Sequence, residues 1–165
     1  MLSRLFGSKS TPAPEDDTPV QELVAPWRRI VIPASSAPFS LRSIDSAAKL
    51  AAKSPGCDVR LLYVLEVPRA YALHAPMPGE DSQAQTVLAD GLEEARRWGL
   101  DAVTDVLRVR DAIEGLLKYI EQQNVDLLVL GARPDEVRGI SKEMVGELFR
   151  RASCEVVVDY IAEEQ

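Results

Sequence analysis

The sequence predicts an α/β domain, a doubly wound, open five-stranded parallel sheet with strand order 3-2-1-4-5. Three observations carry this. Val125-Asp-Leu-Leu-Val-Leu-Gly131 is a short apolar run with an acidic residue at its entrance and a glycine at its exit. Such a run marks a strand buried on both faces, as inside a parallel sheet. Runs of this kind alternate with segments of helical period, and the changes are punctuated by helix stops and caps such as Pro55-Gly56, Asp111 and Ser141.

Taken in order, Arg28-Arg-Ile-Val-Ile-Pro33 is the first strand, ended by Pro33 and a Ser-Ser turn. Phe39 to Ser54 predicts a helix whose Leu41, Ile44, Ala48 and Ala51 share one face. Asp58 to Val67 holds the second strand, apolar on both sides through Leu61, Leu62, Val64 and Leu65. Pro68 to Asp81 is the longest irregular connection and reads as a lid or a mobile insertion. Ser82 to Gly99 predicts the second helix, turning Val87, Leu88, Leu92, Ala95 and Trp98 inward. Ala102 to Val109 alternates, as an edge strand does. Asp111, with Glu114 three residues on, opens a third helix buried through Ile113, Leu116, Leu117 and Ile120. The strand 125–130 follows. Ser141 is a good N-cap for a helix facing the sheet with Met144, Val145, Leu148, Phe149 and Ala152, and Cys154 to Ile161 is the closing strand.

The chain divides into a tail over 1–26, a domain over 27–162 and a short end over 163–165. Ser8 to Pro19 holds Ser, Thr, Pro and an acidic cluster with little to bury, so the tail is expected to be disordered. Leu2, Leu5 and Phe6 fall at helical spacing with Arg4 opposite and Lys9 nearby. They read as a frayed start or as an interfacial or docking segment.

Among the 165 residues, 46% are hydrophobic and 27% charged, with net charge −7. An acidic chain lacks the clustered Lys and Arg that neutralise phosphates, so nucleic acid is not an expected partner. Cys57 and Cys154 stand in no metal spacing and read as free thiols in a reducing cytoplasm. One histidine, His74, in a Pro- and Ala-rich stretch argues against a histidine metal site or a Ser-His-Asp triad. No nucleophile–base pair or metal set is found, so no enzyme and no metal are expected.

Several segments resemble the universal stress protein family in order and spacing. Arg29-Ile-Val-Ile-Pro33, the Ser-rich turn and Phe39-Ser-Leu-Arg-Ser-Ile-Asp45 resemble its first strand, turn and helix. Asp111 through Gly131 resembles, without a gap, its third helix and fourth strand, and Phe149-Arg-Arg-Ala-Ser-Cys-Glu-Val-Val-Val158 its closing helix and strand. The resemblance implies a Rossmann-like fold of the adenine nucleotide alpha hydrolase-like kind. It also implies a site after the first and fourth strands, where an Asp and a Gly-x2-Gly-x9-Gly-Ser/Thr run hold nucleotide in binding members. The physical logic is a phosphate cradle of backbone N–H groups, a helix N-terminus and a hydroxyl.

This sequence departs from that pattern. Ser35 replaces the Asp, Pro134 replaces the second glycine and has no N–H to donate, and Arg110 stands where a glycine is expected after the third strand. The final Gly-Ser pair falls on Met144 and Val145, or on Lys142 and Glu143. Asp135, Glu136 and Glu143 repel phosphate, while Arg133, Arg138 and Lys142 offset them. The vestigial ligand site is Ser35, Gly131, Arg133, Gly139 and Ser141. The expectation is a non-enzymatic stress-response or regulatory protein, poor at binding ATP, without a cofactor and acting through partner contacts. One alternative is an adenine-nucleotide sensor taking ATP or AMP. Another is an accessory subunit recruited to a membrane transporter through the tail, in the cytoplasm and peripheral to the membrane. The resemblance also implies a homodimer, paired through Val156, Val157, Val158, Tyr160 and Ile161 of the closing strand.

Overall fold

The structure, a computed structural model, describes residues 26–35, 37–132 and 140–160, apart from the side chain of Tyr160. The expectations for the tail before Pro26, for residues 133–139 and for the end from Ile161 onward lie outside the described residues.

Strands and helices alternate as β1 Arg29–Ala34, α1 Leu41–Ala51, β2 Asp58–Glu66, α2 Pro78–Arg97, β3 Ala102–Val109, α3 Ala112–Gln122, β4 Leu127–Ala132, α4 Lys142–Arg151 and β5 Glu155–Tyr160. The sheet is parallel throughout, in the order β3-β2-β1-β4-β5. This is the predicted fold. Ile30, Ile32, Leu61, Tyr63, Leu127 and Val129 pack under α1 and α2. Val31, Leu62, Val64, Leu128 and Leu130 pack under α3 and α4. Two-sided burial is why the central strands read as unbroken apolar runs.

Helix phase and helix starts differ from the sequence expectation. In α1 the buried residues are Ser43, Ile44 and Ala47, and Leu41 is 62% exposed. Small residues face the sheet because α1 lies close to it; Ser43 is tolerated there because its hydroxyl donates to the Ser40 carbonyl at 2.7 Å. Trp98 and Phe149 also face outward rather than inward. Helix α2 begins at Pro78, four residues before Ser82. Proline suits a first helical position, where its missing N–H costs nothing, and Asp81 caps the start by accepting from the Met77 N–H at 2.8 Å.

The connection from β2 to α2 is strapped down. Arg110 donates to the carbonyls of Val67 (3.0 Å), Pro68 (2.7 Å) and Tyr71 (2.9 Å). Arg108 donates to the carbonyls of Leu73 (2.9 Å) and Ala75, and pairs with Asp81 at 2.6 Å. A guanidinium carries five donors in a rigid fork, so two of them suffice to hold one loop by its backbone.

At the amino ends of the strands, the Asp126 carboxylate accepts from the backbone N–H groups of Arg28 (2.8 Å) and Arg29 (2.9 Å). The Asp126 N–H donates to the Arg29 carbonyl at 3.0 Å. The acidic residue at the entrance of β4 is thus a staple between β1 and β4. Arg29 and Arg60 share Asp58 beside it, at 2.8 and 3.0 Å.

Candidate functional site

β1 lies between β2 and β4, and its helix covers one face while those flanking β4 cover the other. The carboxyl ends of β1 and β4 are therefore the topological switch point, where an open α/β sheet has its ligand crevice. Ser35 follows β1 and Gly131 lies near the end of β4, so the fold brings these two expected site residues to one edge.

The first turn of α1 occupies this edge. A Cβ on Gly131 would stand 2.3 Å from Ser40 Cβ, 2.8 Å from Ser40 Oγ and 3.3 Å from Ser43 Cβ. The space a glycine leaves open beside β4 is filled by Ser40. Ser40 is the N-cap of α1, yet its side chain makes no capping bond, and its Oγ is buried without a hydrogen-bond partner. Nearly two turns on, the Ser46 hydroxyl donates to the Asp159 carboxylate of β5, which fixes α1 across β4 and β5. Nearby, Asp45 binds Lys49 at 2.7 Å through one oxygen and leaves the other buried without a partner.

Helices α3 and α4, unlike α1, have carboxylate or hydroxyl caps at their N-termini. Asp111 accepts from the Glu114 N–H at 2.8 Å, and Glu66 accepts from the Ala112 N–H at 2.7 Å, so α3 already has two carboxylates at its start. Ser141 accepts from the Met144 N–H at 3.2 Å, the predicted cap of α4. Arg133 and Gly139 lie outside the described residues, as do Pro134, Asp135 and Glu136, so Ser141 is placed without the loop that would lead to it.

Electrostatic shifts lie away from the switch point. The Met77 N–H and then Arg108 hold the Asp81 carboxyl below its ordinary range. Burial, with Asp126 and Glu155 adding, pushes the Cys154 thiol up to about 11. A thiol so shifted is protonated at neutral pH and unreactive. Among the described residues no group of three or more His, Cys, Asp or Glu is placed to hold a metal ion, and no helix is long and apolar enough to cross a membrane.

β5 is the outer strand beside β4. Val156 and Val158 pack partly buried toward α3 and α4, and Val157 toward α1 and α2. Of the expected interface residues, these three use their side chains within the chain and leave the backbone edge outward; the Tyr160 side chain and Ile161 lie outside the described residues.

Sequence reasoning missed Ser40, Ser43 and the Ser46–Asp159 bond. One signal was present: a serine just before a run of helical period is a plausible N-cap.

A sequence profile described as the universal stress protein family matches residues 26–159. A search of curated proteins finds no match. Among solved structures, a universal stress protein in complex with cAMP is similar at TM-score 0.66 and 16% identity, covering 83% of this chain and 99% of that one. The universal stress protein from Archaeoglobus fulgidus in complex with dAMP is similar at 0.62 and 14%, covering 81% and 98%. A universal stress protein family member from Arabidopsis thaliana with AMP bound is similar at 0.56 and 12%, covering 81% and 92%.

Proposed function

The chain belongs to the universal stress protein family, and from that premise we propose that it is a regulatory module without catalytic turnover. It works through protein contacts, pairs as a homodimer along β5, and binds adenine nucleotide weakly.

The observation that carries the weak binding is Ser40 seated against Gly131. A phosphate cradle needs glycine so that a ligand can approach the backbone; here the α1 cap takes that approach. The Glu66 and Asp111 carboxylates at the start of α3 add negative charge to the same edge, which disfavours a triphosphate. Arg110 makes three bonds to main-chain carbonyls and is engaged away from any phosphate role. These three observations support the reading of weak ATP binding. The regulatory part of the reading follows from family membership.

The similar structures bind AMP, dAMP or cAMP, so adenylates are the ligands to test. Titration calorimetry with Mg-ATP, AMP and cAMP is expected to show no saturable heat at micromolar ligand. A dissociation constant in the low micromolar range for any of them overturns the reading and leaves an adenylate sensor, in which Ser40 moves off Gly131.

A further inference from the structure

Helices α1 and α2 enclose a groove of about 340 Å³ that begins at Pro38 and Phe39, beside the start of α1. Its floor is apolar: Phe39 and Val87 are buried, and Leu41 stands largely exposed at its lip. Asp90, Glu93 and Glu94 line the α2 side. Arg97 neutralises part of this rim, at 2.7 Å from Glu93 and 3.3 Å from Glu94, and Asp90 has no ion-pair partner among the described residues. An apolar floor with an acidic rim fits an amphipathic segment with apolar side chains on one face and cations beside them.

We propose that the occupant is this chain's own residues 2–9, docked between α1 and α2 of the same molecule. Leu2, Leu5 and Phe6 are spaced as one helical stripe, and Arg4 and Lys9 are the charged residues of the first fourteen. The segment is thus cationic where the groove is anionic. A helix this short does not hold by itself in water, so its stripe needs a surface, and two flanking helices supply one.

Reach is sufficient. Residues 10–25 separate the segment from Pro26, and 16 extended residues span about 55 Å. A domain of this size has a radius of gyration of about 14 Å, so every point of its surface lies within that span. A tether of this length also holds the segment at an effective concentration on the order of millimolar, so a contact too weak to form between free partners is populated within one chain. Docking in this way covers Leu41 and hides the apolar stripe from other surfaces.

The test is a photoreactive diazirine leucine at position 5 of the full-length chain, irradiated at low protein concentration and mapped by mass spectrometry. Cross-links are expected within one chain, to the peptides carrying Pro38–Ile44 and Val87–Glu94. They should fall several-fold with Leu41→Glu, with Asp90→Lys, and with added salt. Leu41 and Asp90 are exposed, so both variants keep the fold, checked by an unchanged melting temperature. Cross-links spread over other surfaces, cross-links between chains, or a groove yield unmoved by either variant overturn the proposal.

Discussion

At the scale of single residues, the close meeting of Ser40 and Gly131 at the switch point can be tested directly. Alanine at Gly131 would set its Cβ 2.3 Å from the Ser40 Cβ, an overlap with an atom near the backbone that no rotamer relieves. Gly131→Ala is therefore expected to destabilise the fold by about 1–3 kcal/mol, the range for overpacking, and Ser40→Gly in the same chain to restore most of it. Ser40→Ala alone should be neutral or slightly stabilising, within about 1 kcal/mol, because the hydroxyl it removes is buried without a partner and makes no cap. Urea denaturation of the unmodified protein, Gly131→Ala, Ser40→Gly and the double variant measures the cycle; a loss in Gly131→Ala that Ser40→Gly leaves untouched would show the strain to be elsewhere. The glycine was legible in the sequence, but its reason was not. Read locally, Gly131 looks like a place for a phosphate. Its neighbour across space is 91 positions earlier in the chain, and nothing near either residue announces the meeting.

At the scale of elements, a connection expected to be a lid or a mobile insertion is strapped between β2 and α2 by Arg108 and Arg110. Its anchor at Asp81 has a definite pH behaviour. The Asp81 carboxyl is held below its ordinary value of 3.8 by the Met77 N–H and by Arg108. A depressed carboxylate contributes fully above the unfolded value, and that contribution is lost as pH falls through the folded one. Amide signals from Leu73 to Met77 should therefore shift on acidification with a midpoint below 3.8, and Asp81→Asn should abolish that step. A midpoint at or above the ordinary value would mean that the strap does not hold Asp81 ionised. Strand positions were readable because two-sided burial leaves apolar runs that few other structures produce. Helix phase was less so. A periodicity argument places the largest apolar residues inward, which selected Leu41, Trp98 and Phe149. The protein instead brings Ser43 and Ala47 to the sheet, since close approach of α1 favours small side chains. The strap was hidden for a related reason: Arg108 and Arg110 act on carbonyls of a loop more than thirty positions away, and carbonyls have no sequence.

At the scale of the whole molecule, the two sheet edges differ. β3 shows Val103 and Val106 to solvent beside Asp105, whereas β5 turns its valines partly inward. An outer strand with free N–H and C=O groups pairs readily with a second copy across a two-fold axis. Sedimentation equilibrium is expected to give a dimer at micromolar protein, and a monomer at every accessible concentration would remove β5 from the reading. The Asp126 staple has a consequence of another kind, in time. It joins residues 97 positions apart, and β1 cannot fill its second side until β4 exists. During synthesis at about 5–20 residues per second, that strand waits roughly 5–20 s with one flank open. Through that interval the nascent chain presents Ile30, Val31 and Ile32 to whatever else is being made nearby. The aspartate that closes the gap is thus also a clock, marking the moment at which the growing polypeptide stops being adhesive.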